Sequence, residues 1–294
     1  MKISIILLTY QRPNILSKSV NTLLNNTKIK PEEFFILDDG SDFSIQKNIL
    51  DFAQQNASSI PISVFLNNKN MGIGYQFEKA YNIMRMSESD IVCFIESDYI
   101  WRKGWLEDVL AVFEASPKTL AIAGCNHPDM IDKNKTHNEF CKLMIDQFAE
   151  DIDRSKLYAP FKLNTNRGNI LVQGVSNSCG CQIVHWKRLN QLLKENNLES
   201  DYWKWMDRAF HKNNTGNRKY ASDSHMSGTI SYYGTKHQDL KENEFPFLDI
   251  CDYSISNHIC GGGINGMIVP EGSTFVGSPK WDPESLERDI RNYE

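Results

Sequence analysis

The first 125 residues alternate short apolar runs with amphipathic stretches. "KISIILL", "EFFILDD", "IPISVFL", "DIVCFIESD" and "TLAIAG" are rich in Ile, Val, Phe and Leu and nearly continuous in apolar character, as strands buried on both faces are. Between them, helical periodicity covers about residues 13–26, 44–57, 73–87 and 104–115. Pro13 suits a first helical turn, where its missing N–H would have no partner anyway. Apolar strand followed by helix, repeated, predicts crossover units and an α/β fold: a mostly parallel central sheet flanked by helices.

Past residue 125 the pattern loosens. Residues 126–168 read as polar and irregular, with "DKNKTHNE" a surface loop. Strand, turn and strand are expected from 169 to 185, helices near 186–196 and 200–213, and a late strand at "TISYYG". In the closing "WDPESLERDIRNYE", Asp282 is placed to cap a helix with Pro283 at its first position.

In parallel α/β sheets the ligand crevice lies beyond the carboxyl ends of the strands. The polar clusters fall there: "TYQRP" after the first strand, "DDGSD" at the end of the second, "NNKNMGIG" after the third and "ESD" at the end of the fourth. Asp38, Asp39, Gly40 and Ser41 alone would be ordinary turn formers. Beside Tyr10, which offers a ring for stacking, a carboxylate there can accept from a nucleobase imide or a ribose hydroxyl. Strand alternation puts Glu96 and Asp98 on one side of the chain, with Ser97 turned away. Two like charges that close repel unless protons or a cation intervene, and a hard divalent ion takes oxygen ligands.

Composition narrows the classes. A chain of 294 residues, 40% hydrophobic, can bury a substantial core. The net charge of -5 gives no electrostatic footprint for nucleic acid. No apolar run approaches the roughly 20 residues that span a bilayer. Seven cysteines, an odd number, argue against a disulfide framework and for a reducing, cytoplasmic setting. Cys179 with Cys181, and Cys251 with Cys260 near His258, lack the repeated two-residue gap of a zinc site and read as free thiols.

Taken together, "IILLTYQRP", "FILDDGSD", "NNKNMGIGYQFEKAYN" and "VCFIESDYIWRKGWLEDVL" resemble the nucleotide-sugar-binding half of family 2 glycosyltransferases with the GT-A fold. The resemblance implies one domain over 1–239, with a nucleotide-sugar-binding half (1–125) and an acceptor-side half (126–239), followed by a C-terminal extension (240–294) packing on it. It assigns Thr9, Tyr10, Arg12 and Asp39 to the nucleotide, with Asp38 close by. Gly72 allows close backbone approach, and Glu96 and Ser97 join the nucleotide-sugar contacts. "ESD" is similar to the family's Asp-x-Asp motif, so Asp98 and Glu96 are expected to hold Mn2+ or Mg2+, with Glu96 standing where Asp is commoner. Tyr75, Gln76, Phe77 and Glu78 depart from the small residues and Arg-Asn pair usual on the following helix.

In the second half, "LESDYWKWMDRAFHK" resembles the acceptor-side helix, making Asp207 the expected catalytic base, with Met206 in place of the usual Glu; Asp201 and Glu199 are alternatives. His225 is the candidate third metal or diphosphate ligand, His237 the reserve. Aromatic residues at helical spacing are more often core, but Trp203 and Trp205 are expected at an acceptor groove. The implied activity is metal-dependent transfer of a sugar from a nucleoside diphosphate donor, expected to be a UDP-sugar, to a glycan, glycoprotein or lipid-linked acceptor, with inversion. A lipid-linked acceptor would draw the protein peripherally to a membrane surface. A binding or scaffold protein of the same fold without turnover is the rival reading. A nucleotidyltransferase is disfavoured, because "TYQRP" replaces the glycine-rich, lysine-containing loop it would need.

Overall fold

The computed structural model describes residues 1–97, 99–123, 125–126, 161–174, 181–204, 206, 222–241, 243–250 and 256–258. The amino-terminal part follows the apolar pattern closely. It runs β1 (Ile3–Thr9), α1 (Pro13–Asn25), β2 (Glu33–Asp38), α2 (Phe43–Asn56), β3 (Ile62–Leu66), α3 (Ile73–Met86), β4 (Ile91–Glu96), β5 (Tyr99–Trp101), α4 (Trp105–Ala115), β6 (Ala121–Ala123) and β7 (Cys125–Asn126). There follow β8 (Phe161–Thr165), β9 (Gly168–Gln173), β10 (Cys181–Val184), α5 (Trp186–Glu195), helical residues 199–204, α6 (Ser222–His237), β11 (Phe247–Ile250) and β12 (Ser256–His258).

Nine strands form one sheet in the order β3-β2-β1-β4-β10-β6-β11-β9-β8, and β5-β12-β7 form a small second sheet. Parallel pairing joins β3, β2, β1 and β4, and also β6 and β11; β10 runs antiparallel to both its neighbours, as β9 does to β8 and β11. The parallel character read from the sequence thus belongs chiefly to the first half. All seven residues of β1 are buried, because it lies between β2 and β4 with helices over both faces. Alternation then divides its side chains: Ile5 and Leu7 pack with Phe34, Ile36, Ile95 and Trp105 on one face, Ile6 and Leu8 with Leu37, Phe77, Tyr81 and Phe94 on the other.

Register sets the site. In the parallel ladder Thr9 is level with Asp38, and Leu8 with Glu96. The carboxyl ends of β1, β2 and β4 therefore emerge at one edge of the sheet, where the loops carrying the polar clusters begin.

Three expectations are corrected. "TISYYG" is not a strand but part of α6: Thr229, Ile230 and Tyr233 are buried at helical spacing. A Cβ at Gly234 would collide with Pro246, so the glycine lets the helix lie against the entry to β11. The boundary at 239/240 does not set off an extension, since β11 is an interior strand between β6 and β9. Within the polar stretch up to 168, β8 forms a hairpin with β9, its residues alternating half-buried and exposed as an edge strand's do.

Trp101 and Trp105 are core residues. They are fully buried, their rings 4.4 Å apart, and Trp105 Nε1 donates to the carbonyl of Leu23 at 3.1 Å. Arg188 of α5 donates to the carbonyls of Phe113, Ser116 and Thr119, satisfying the end of α4. Cys93 is a buried free thiol, and Cys181 is buried as well. Among the described residues no helix is long and apolar enough to cross a membrane.

His185, just before α5, is buried edge-on to Phe113 at 5.2 Å, and its Nδ1 has no hydrogen-bond partner among the described residues. Burial, reinforced by the Arg188 guanidinium, lowers its pKa from 6.5 to about 4. The unfolded chain therefore takes up this proton at a pH where the folded one resists it. The stability contributed by neutral His185 is complete above pH 6.5 and declines as the pH falls from 6.5 toward 4. Urea midpoints measured across that window should fall more steeply for the wild type than for His185→Gln; equal slopes would contradict this account.

Candidate functional site

The segment after β1 turns sharply. Gln11 and Arg12 both adopt left-handed backbone, with φ 55° and 59°. For non-glycine residues this costs about 1–3 kcal/mol each and needs support from the surroundings. The Gln11 N–H donates to Ser41 Oγ at 2.7 Å, its side-chain amide donates to Asp42 Oδ1 at 3.3 Å, and the Arg12 carbonyl receives the Leu16 N–H at 2.9 Å as α1 begins. The turn thus leans on the "DDGSD" loop and carries Tyr10 and Arg12 to the sheet edge.

The two aspartates of that loop divide the labour. Asp38, fully buried, accepts from the N–H groups of Gly40 and Ser41, from the Ser41 hydroxyl and from Gln46 Nε2. Its carboxylate folds the loop back on itself. Asp39, 4% exposed, reaches outward: Oδ1 accepts from Asn67 Nδ2 (3.0 Å), Met71 N–H (2.9 Å) and Gln76 Nε2 (3.0 Å), and Oδ2 from Gly72 N–H (2.9 Å). One carboxylate therefore ties the loop after β3 and the first turn of α3 to the end of β2. Gly40, at φ 78°, is required here, because a Cβ would run into the Lys69 backbone.

Between these loops and the end of β4 lies a cavity of about 340 Å3, within the range of small-molecule sites. Thr9, Tyr10, Arg12, Asp39, Gly72, Glu96 and Ser97 line it, together with Leu8, Asn70, Ile73 and Gln76. Every residue expected at the nucleotide is thus in the wall except Asp38, whose carboxylate lies behind it, occupied with its own loop. Glu96 brings a hard oxygen donor to the β4 end of the cavity, chemistry that suits Mn2+ or Mg2+. Among the described residues no three metal-ligating side chains converge.

Asp98 and Asp207 lie outside the described residues, as does Trp205. The backbone of His225 lies in α6, a helix rather than the lead-in to a strand. His237, in the last turn of α6, stacks on Tyr233 with ring centroids 6.0 Å apart. Glu199 and Asp201 are exposed helical acids, and Asp201 pairs with Lys204 at 3.6 Å; neither is in the cavity. Trp203 is corrected to the core: it is 9% exposed, packed edge-on to Tyr81, Trp186 and Tyr202, with the Arg85 guanidinium over its ring. Sequence reasoning set Gln76 aside as a departure; Asn67 it did not single out. An amide three residues into α3, facing an acidic loop, was the available signal.

Comparison with known proteins decides the family. The model described as glycosyl transferase family 2 matches residues 4–188, more than half of the chain. The chain belongs to this family. A glycosyltransferase of Nostoc sp. described as uncharacterized is 26% identical over 152 residues, 52% of this chain and 44% of its own. The glucosyl-dolichyl phosphate glucuronosyltransferase of Haloferax volcanii is 26% identical over 133 residues, 45% of this chain and 40% of its own. The matches thus span less than half the length of these curated relatives. Among solved structures, S. aureus TarS 1-349 in complex with UDP is similar at 15% identity and TM-score 0.49, over 87% of this chain and 60% of that one. In this family 2 glycosyltransferase the GT-A arrangement read from the sequence is borne out by the matched region and by the sheet it forms.

Asp39→Asn keeps the shape but turns an amide N–H toward donors that need an acceptor. A loss of about 1–3 kcal/mol of stability is expected in chemical denaturation, with faster hydrogen exchange at Met71 and Gly72. Unchanged exchange at those two amides would show that Asp39 does not hold the loop.

Proposed function

We propose that the protein transfers a sugar from a nucleoside diphosphate donor, a UDP-sugar in the leading reading, to a hydroxyl of a glycan or lipid-linked acceptor, using Mn2+ or Mg2+ and inverting the anomeric centre. The observation that carries this reading is the convergence of Thr9, Tyr10, Arg12, Asp39, Gly72, Glu96 and Ser97 on one cavity beyond the carboxyl ends of parallel strands. Family membership supports the class of reaction. The relative whose name specifies glucosyl-dolichyl phosphate supports a lipid-linked acceptor among the alternatives, and with it peripheral contact with a membrane.

Each wall has a task. Glu96, with Asp98 two residues on, supplies carboxylate oxygens for the metal. When bound, such an ion neutralises charge on the departing diphosphate. Tyr10 offers a ring for stacking and Arg12 a cation for phosphate oxygens. The acceptor hydroxyl needs a carboxylate to receive its proton as the new bond forms, and Asp207 is assigned that task by resemblance.

Two measurements test the assignment. Asp98→Ala should weaken donor binding and its metal dependence in calorimetry more than Glu96→Ala does; undiminished, still metal-dependent binding by Asp98→Ala would remove Asp98 from the site. Asp207→Asn should bind donor normally yet transfer on the order of a hundredfold or more slowly. Transfer near the wild-type rate in that variant, with Asp201→Asn or Glu199→Gln inactive, would move the base to one of those acids. Metal-dependent donor binding by the wild type with neither transfer nor hydrolysis would favour the scaffold reading instead.

A further inference from the structure

Phe43, Met71 and Ile73 are large apolar side chains left 82%, 42% and 50% exposed. An apolar residue exposed singly needs no explanation, but three on adjoining segments do. Phe43 opens α2, just after the loop that follows β2; Met71 lies in the loop after β3, and Ile73 opens α3. All three therefore stand at the carboxyl edge of the sheet. Two contacts bring their segments together. Gln46, three residues beyond Phe43 and so on the same face of α2, donates to the Asn67 carbonyl at 2.8 Å. Gly40 lies so close to the Lys69 backbone that a Cβ on it would collide there.

The exposure is built in rather than incidental. Asp39 accepts from the N–H groups of Met71 and Gly72, so the backbone that carries Met71 and leads into Ile73 is fixed from beneath. Across residues 40–47 and 67–73 the charged side chains are Lys47, Lys69 and Asp42, all exposed, and Asp42 accepts from Gln11 Nε2 at 3.3 Å. This face is thus basic on balance in a chain of net charge -5. Ile73 also belongs to the wall of the cavity described above. Whatever covers the patch therefore meets the mouth of that cavity. A protein laid over these residues would cap the mouth, whereas a bilayer would bring to it a substrate carried in the bilayer.

We propose that Phe43, Met71 and Ile73, with Lys47 and Lys69 beside them, form the face by which the protein rests on an anionic lipid bilayer. The apolar side chains enter the interfacial layer and the two lysines meet lipid phosphates. The cavity then opens toward the headgroups, within reach of a lipid-linked acceptor. This inference rests on the lipid-linked acceptor in the reading above and names the surface that would serve it.

The test is cosedimentation of the full chain with vesicles of phosphatidylcholine, with and without phosphatidylglycerol. The wild type should bind the anionic vesicles at least about fivefold more tightly, a preference that fades as salt is raised. Phe43→Ser and Met71→Ser should each weaken vesicle binding on the order of tenfold. Lys69→Glu should remove the anionic preference. Met86, 77% exposed at the far end of α3, is the control: Met86→Ser should bind vesicles like the wild type. No vesicle binding by the wild type, or binding that Met86→Ser weakens as much as Phe43→Ser does, would overturn the proposal. So would a dimer in sedimentation velocity that Phe43→Ser converts to monomer, since the face would then belong to a second copy. Calorimetry with UDP or GDP and Mn2+ on the same preparations separates the failures. Nucleotide binding without vesicle binding sinks this inference and leaves the donor reading standing; vesicle binding through the patch without nucleotide binding does the reverse.

Discussion

The Asp39 carboxylate is the fastening on which the site's geometry depends. Four N–H donors from three segments meet on it: the end of β3, the loop at Met71 and Gly72, and the first turn of α3. Each bond to an ionised acceptor is stronger than a neutral one, and at 4% exposure little water competes. Asp38 supports this from behind by closing the loop in which Asp39 sits. Through Ser41, the same loop also holds the left-handed turn at Gln11 and Arg12.

These local bonds converge because the strands beneath them are level. Parallel pairing of β2, β1 and β4 without a bulge between them puts Asp38, Thr9 and Glu96 at one edge. A shift of one residue in any strand would turn its last side chain to the other face. The apolar alternation of β1, with Ile5 and Leu7 on one side and Ile6 and Leu8 on the other, holds the register. Core packing and site geometry are in this sense one constraint.

That coupling explains what the sequence revealed. Strands buried on both faces are contiguous apolar runs, so β1, β2 and β4 were legible to within a residue or two, and the polar strand ends followed from them; β3 was placed as closely, although it is an edge strand whose residues alternate half-buried and exposed rather than one buried on both faces. The late elements were not, for identifiable reasons. Thr229, Ile230, Tyr232 and Tyr233 have a strand's composition, but their burial pattern is that of a helix lying on a sheet. Trp203 sits in an acid-rich segment that resembles a groove, yet its ring fills the space between Tyr81, Trp186 and Tyr202. Strand β11 enters the sheet between strands far from it in sequence, which no local pattern announces. Gln76 was read as a departure because its meaning lies in a bond to Asp39, 37 residues away.

The central claim is that a nucleoside diphosphate and a divalent ion occupy the cavity across the ends of β2, β1 and β4. A crystal structure of the full chain with UDP or GDP and Mn2+, the metal located by its anomalous signal, tests this most directly. The account predicts the ion beside Glu96, the diphosphate next to it, and the base toward Asp39 and Gln76. An ion and nucleotide bound elsewhere, as in the groove between α1 and α2 lined by Leu16, Val20, Ile45 and Phe52, would contradict it.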